Sequence, residues 1–162
     1  MDIFTWFNGE VPSELEVKQV YGVLFTKDGR VLLRKEDDFY SLAGGTPEAF
    51  DKDMEATLRR EVIEEVNTTI EKPVLVGYQR VNEGNGIPLY AQVRMAAIIK
   101  EIGPVQPDPD NGKTYQRILT TPSKAIKLLN WGESGRLMIE EATRVAKEIL
   151  ELKTFNDKEE FI

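Results

Sequence analysis

Three glutamates, Glu61, Glu64 and Glu65, crowd the run Arg59-Arg60-Glu61-Val62-Ile63-Glu64-Glu65-Val66. On a helix, at about 100° per residue, they fall within an arc roughly 100° wide and form one acidic cluster. Like charges at i,i+3 and i,i+4 cost an isolated helix about 0.2 to 0.5 kcal/mol per pair. Arg60, four residues before Glu64, offsets part of that cost, but one guanidinium does not balance three carboxylates. A divalent cation would. Mg2+ prefers a few carboxylates completed by water and phosphate oxygens, so the cluster is a candidate cation site facing a diphosphate. Upstream, Gly44-Gly45 adds a candidate backbone carbonyl ligand at Gly45, because glycine lets main chain approach an ion closely. A run of charge is also the ordinary composition of a solvated helix face, and the glutamates alone do not choose between the two.

Elimination narrows the chemistry further, because the chain has no cysteine and no histidine. Thiol nucleophiles, disulfides, Cys/His zinc sites, Ser-His-Asp triads and histidine acid-base catalysis are all excluded. The formal net charge of -7 argues against broad adhesion to nucleic acid polymers or anionic lipid. No apolar run approaches the roughly 20 residues of a membrane-spanning helix, and no membrane partner is expected. The opening Met1-Asp2-Ile3-Phe4-Thr5-Trp6-Phe7 lacks the basic and long apolar regions of a secretory signal, so a cytoplasmic location is expected.

The elements that must position the glutamates follow from patterning. With 162 residues, 41% hydrophobic and 30% charged, one domain around one core is expected over 1–162. Val17 to Thr26 and Arg30 to Lys35 read as strands joined by Lys27-Asp28-Gly29, a hairpin signal. Tyr40 to Glu48 is a short extended piece running into the glycine turn. A helix is predicted from Asp51 to Val66, with Asp51 and Asp53 in its first turn. Met54, Leu58, Val62 and Val66 recur at i+4 and make the apolar stripe that anchors it. Ile70 to Val81, Leu89 to Ile102 and Tyr115 to Thr120 read as further strands. Gly103 to Lys113, with three prolines, is a loop. Helices are predicted at Pro122 to Leu129 and Ser134 to Leu152. Residues 1–16 read as an N-terminal extension and 153–162 as a charged, frayed tail.

Placed on these elements, Gly45 and Arg60-Glu61-Val62-Ile63-Glu64-Glu65 resemble the Nudix box: Gly, five residues, Glu, seven residues, then Arg-Glu-apolar-any-Glu-Glu-any-Gly-apolar. The order of elements, a hairpin before the box, strands after it and a C-terminal helix, extends the resemblance over most of the domain. Three positions depart from the pattern. Asp51 stands in place of the early glutamate, with eight residues rather than seven before Arg60. Asn67 replaces the closing glycine, which suits a left-handed helix cap. Thr68 replaces the last apolar residue.

The resemblance implies an α/β protein, a Nudix-type α/β/α sandwich around a mixed β-sheet. It implies a Mg2+-dependent hydrolase, with Mn2+ as a substitute ion, that cleaves a phosphoanhydride bond in a nucleoside diphosphate linked to another moiety. Gly45, Glu61, Glu64 and Glu65 would be metal ligands, with Glu61 a further ligand or the general base. Arg60 would orient the glutamates. A non-catalytic module that binds a nucleotide metabolite is the alternative on the same fold.

Arg94, charged in mid-strand between apolar neighbours, is a candidate substrate contact, and Tyr90 and Arg34 are weaker ones. Lys35 and Arg80 read as solubilising. Tyr115 and Trp131 read as core before they read as base-stacking groups. Glu133 reads as the cap of the last helix. Trp6-Phe7 is either a contact in a homodimer or an extra strand.

Overall fold

A computed structural model describes residues 2–162. The strands are β1 (Ile3–Asn8), β2 (Glu16–Phe25), β3 (Val31–Glu36), β4 (Phe39–Ser41), β5 (Ala43–Gly45), β6 (Thr68–Ile70), β7 (Val74–Asn82), β8 (Tyr90–Ile102), β9 (Gln116–Thr120) and β10 (Glu160–Phe161). The helices are α1 (Met54–Val66), α2 (Pro122–Leu129) and α3 (Gly132–Glu148). The sheet runs β1-β7-β8-β2-β3-β9-β10, with β5 on β2, β4 on β3 and β6 on β8. β2 lies parallel to β8 over Glu16 to Phe25, while the other pairings among the described residues are antiparallel, so the sheet is mixed as expected.

Alternation along β2 divides the core. Val23 and Phe25 face one side with Met138, Ile139 and Ala142 of α3 and Ala125 and Leu129 of α2. Val20 and Leu24 face the other side with Leu58, Val62 and Val66 of α1. A sheet with apolar residues on both faces must be covered twice, and helices on both sides complete the α/β/α sandwich.

The boundaries differ from the predicted ones for identifiable reasons. α1 starts at Met54 because Asp53 is extended and its side chain accepts the Ala56 N–H, which makes it the N-cap and leaves Asp51 outside the helix. The strand predicted at 70–81 splits into β6 and β7 around Pro73. α3 starts two residues early and stops at Glu148. Trp131 holds its cap position without a side-chain bond, and Glu133 pairs with Arg136 instead of capping.

Both chain ends are tied to the sheet. Within the segment read as an N-terminal extension, β1 pairs along β7 from Ile3↔Asn82 to Asn8↔Gly77, and Phe7 stacks on Tyr78 at 5.3 Å, while Met1 lies outside the described residues. The expected frayed tail is held in place, with Asn156 N–H bonded to the Asp28 carbonyl at 2.7 Å and β10 paired on β9. Two of its carboxylates have fixed partners. The buried Arg30 lies between Asp28 and Glu160, and the Glu159 carboxylate accepts from the Thr120 hydroxyl.

Candidate active site

The acidic helix is clamped at both ends. Leu58 and Val62 are fully buried against the sheet, and Gly22 on β2 makes room for Leu58, since a Cβ there would lie 2.8 Å from Leu24 and 3.0 Å from Leu58. At the C-terminus Asn67 takes the left-handed conformation, φ 46°, and its N–H reaches back to the Ile63 and Val62 carbonyls. Asparagine adds what glycine could not. Its Nδ2 donates to the Pro104 carbonyl at 2.9 Å, tying the helix end to the 103–113 loop. Thr68 is buried, and its hydroxyl donates to the Val66 carbonyl. The buried Arg117 donates to the Val66 and Gly103 carbonyls at 2.8 and 2.7 Å, bringing positive charge to the negative helix end.

Arg60 is the hub of the cluster. Its Nε and Nη2 donate to Asp51 at 3.1 and 2.8 Å, a two-pronged pair, and Nη2 also reaches the Thr46 carbonyl. Its Nη1 donates to Glu61 at 2.9 Å and Glu64 at 3.4 Å. Asp51 further accepts the Glu48 N–H and the Thr57 hydroxyl, each at 2.9 Å. The Arg60 hydrogen bonds outweigh burial and hold the Asp51 carboxyl far below the usual carboxylate range. Asp51, displaced by the inserted residue, anchors Arg60. Glu65, nearly buried, accepts the Gly44 N–H at 2.9 Å and has the Arg34 Nε at 3.7 Å.

Burial pushes all three glutamates upward, Glu65 to about 7. Asp108 adds its charge to each of them, and Asp110 acts on Glu64. These two aspartates lie in the 103–113 loop, folded by a Lys113-to-Asp108 turn and the Asp110 N–H bonded to the Asp108 carboxylate. The segment forms no regular element, as its prolines predict, yet it is folded back on the helix. The signal available in it was Asp108-Pro109-Asp110, but nothing local relates it to a helix more than forty residues away.

The donor set suits a hard divalent ion, since it consists of oxygens whose charge is disfavoured by burial and mutual repulsion. The Arg60 Nη1 stands as a cation between Glu61 and Glu64. The expected convergence of three acidic side chains is not present, however: among the described residues no three carboxylates meet closely enough to hold a metal ion. Two of them turn to Arg60 and the third to Gly44. Gly45 leaves the space that Glu61 occupies, because a Cβ there would lie 2.6 to 2.7 Å from the Glu61 carboxyl atoms. Gly45→Ala is therefore expected to leave the fold intact, the Glu61 end being flexible, and to lower turnover by about 10-fold or more through its displacement. Wild-type melting temperature with wild-type turnover would show that the Glu61 position does not matter.

Of the other predicted site residues, the structure brings Arg34 to Glu65, where it also sits 4.4 Å from the Tyr115 ring. Tyr90 shares a sheet face with Gln92 and Arg94 but lies under Lys18, outside the lining of the nearby cavity. Arg94 does line that cavity, which has a volume of about 530 Å3 and also meets Tyr21, Ser41, Gln79, Gln92 and Trp131. Tyr115 is buried, whereas Trp131 is a half-buried cavity wall. Lys35 stands over Tyr40 and Arg80 over Phe7. Sequence reading missed Tyr21. Its strand pairs with Gly44, and its phenol is raised by burial with Arg94, Glu65, Arg34 and Glu61 all close enough to act on it. The cavity and the glutamates thus adjoin across Tyr21.

No family model matches this sequence, and no curated protein matches it by sequence. Solved structures do match. The pyrophosphohydrolase BsRppH of Bacillus subtilis superposes with a TM-score of 0.70 at 17% identity, covering 88% of this chain and 91% of that one. A Nudix hydrolase from Nitrosomonas europaea gives 0.63 at 16% identity, covering 88% and 99%. The MutT protein of Bacillus halodurans gives 0.57 at 18% identity, covering 77% and 80%. The fold is that of the Nudix hydrolases, as the box resemblance implied.

Proposed function

We propose that this protein is a divalent-metal-dependent hydrolase, using Mg2+ or Mn2+, that cleaves the phosphoanhydride bond of a nucleoside diphosphate linked to another moiety. The observation supporting this most directly is the placement of Glu61, Glu64 and Glu65 on one helix, with Glu65 bonded to Gly44 and Glu61 seated against Gly45, on a Nudix fold. Glu64 and Glu65, with the Gly45 carbonyl, would hold the ion once the Arg60 Nη1 gives way, Glu61 being a further ligand or the general base. Bound there, the ion supplies neutralisation of phosphate charge and a lowered water pKa.

The chain's own part is positioning and proton transfer. Arg60, fixed by Asp51, orients Glu61 and Glu64. Glu61, raised by burial, is suited to take the proton from the attacking water. As the new P–O bond forms, the anhydride P–O bond breaks and its electron pair leaves with the departing phosphate. Arg34 stands beside Glu65 and limits the charge accumulating there.

A panel of nucleoside diphosphate derivatives assayed with Mg2+ for release of nucleoside monophosphate tests this reading, with Glu64→Gln alongside. The expected result is metal-dependent release, lowered about 10² to 10³-fold in the variant. Full turnover by Glu64→Gln would mean that the site lies elsewhere. The engagement of the carboxylates by Arg60 and Gly44 favours one second reading, a non-catalytic module for a nucleotide metabolite. It predicts saturable binding with no release at any metal concentration.

A further inference from the structure

We propose that the cavity beside Arg94 is a subsite for a second anionic group, a phosphate monoester or a carboxylate, carried on the far end of the substrate. Its role as a substrate subsite rests on the hydrolase reading above; its capacity to bind an oxyanion does not.

Arg94 is 3% exposed, and its Nε and Nη1 have no hydrogen-bond partner among the described residues. Buried polar groups are normally satisfied, and a buried charge is normally paired, so an orphaned guanidinium on a cavity wall calls for a partner from outside. Among the described residues none is supplied: no acidic residue of these lines the cavity. The nearby amide of Gln92 is committed elsewhere, its oxygen accepting from Gln79 at 3.2 Å and its nitrogen donating to Gln19 at 2.5 Å. What Arg94 has instead is two ring faces, Tyr21 at 4.8 Å and Trp131 at 5.6 Å from its guanidinium carbon. Ring faces stabilise the charge and keep the group from swinging away, but they accept none of its planar N–H donors well. Burial accordingly draws the Arg94 pKa down to about 10. A neutral base edge would leave the charge uncompensated, whereas an oxyanion in the cavity offsets the charge and accepts from the guanidinium edge that faces it. Because the cavity meets the glutamates at Tyr21, one substrate can reach from the cleaved bond to Arg94.

Trp131 provides a readout that needs neither metal nor turnover. The chain has two tryptophans, so Trp6→Phe leaves Trp131 alone on the cavity wall. In this background, with EDTA present, phenyl phosphate, benzoate, phenol and guanosine are titrated while Trp131 fluorescence is followed. At least one of phenyl phosphate and benzoate is expected to bind 10-fold or more tighter than phenol, the tighter of the two identifying the oxyanion. Adding Arg94→Met is expected to erase that preference, leave phenol binding unchanged and keep the melting temperature at or above the parent value, since an unpaired buried charge is removed. Equal affinity for phenol and both anions, tighter binding of guanosine than of either anion, or a preference that survives Arg94→Met would each overturn the proposal. The four-compound comparison stands without the variant. A chain that hydrolyses nothing gives the same result here, so failure of this subsite and failure of the hydrolase reading are separately visible.

Discussion

Glu65→Gln is expected to lower cleavage roughly 10³-fold while making the metal-free chain more stable. The two effects have one cause. Glu65 is nearly buried, and burial raises its pKa from the ordinary 4.5 to about 7. Its charged form is therefore tolerated in the folded chain at a cost. For an acid raised on folding, stability is fully present below the unfolded value and is lost as pH rises toward the folded one. The loss falls between about pH 4.5 and 7 and amounts to roughly 2 to 3 kcal/mol. Glutamine keeps the acceptor for the Gly44 N–H and never ionises. Thermal unfolding in EDTA should thus find the two proteins alike near pH 4.5, the variant melting higher at pH 7.5 and inactive with Mg2+. Parallel stability curves across that range would mean that Glu65 is not held neutral by its surroundings.

That cost also bears on how the site can be read from sequence. The acidic arc was legible because helical periodicity places Glu61, Glu64 and Glu65 beside the Leu58, Val62 and Val66 stripe, and Asn67 was legible because left-handed caps favour few residues. Arg94 stood out as a charge in an apolar strand, and strand alternation puts it on one face with Gln92. What sequence could not reveal is pairing at a distance. Tyr21, Arg94 and Trp131 meet only because β2 and β8 are parallel neighbours and the turn into α3 passes over them. Asp108 and Asp110 reach the glutamates through a loop whose fold depends on Asn67 and Arg117. The partners of the chain ends were hidden for the same reason: the charges of Glu160 and Glu159 find Arg30 and Thr120 only across the fold. Asp51 was ambiguous because the inserted residue breaks the spacing that would have assigned it, and its partner is Arg60, nine positions on.

Removing that partner should have the second large effect. Arg60→Met is expected to destabilise the chain by roughly 3 kcal/mol, because Asp51, 5% exposed at its side chain, loses both prongs of its pair and remains charged. Arg60→Lys should recover only part of this, since an ammonium cannot reproduce the fork. Asp51→Asn combined with Arg60→Met should be less damaging than the two single losses added, as expected for residues acting as one unit. The same substitution exposes the competition at the centre of the site. In the wild type the Arg60 Nη1 lies between Glu61 and Glu64, so a cation must displace it; in Arg60→Met those carboxylates are free to close on the ion. Mg2+ should therefore raise the melting temperature of Arg60→Met by more than it raises that of the wild type, even as turnover falls because nothing orients Glu61. An identical Mg2+ shift in both proteins would mean that ion and guanidinium do not share the glutamates, and the cation would then have to be sought away from α1.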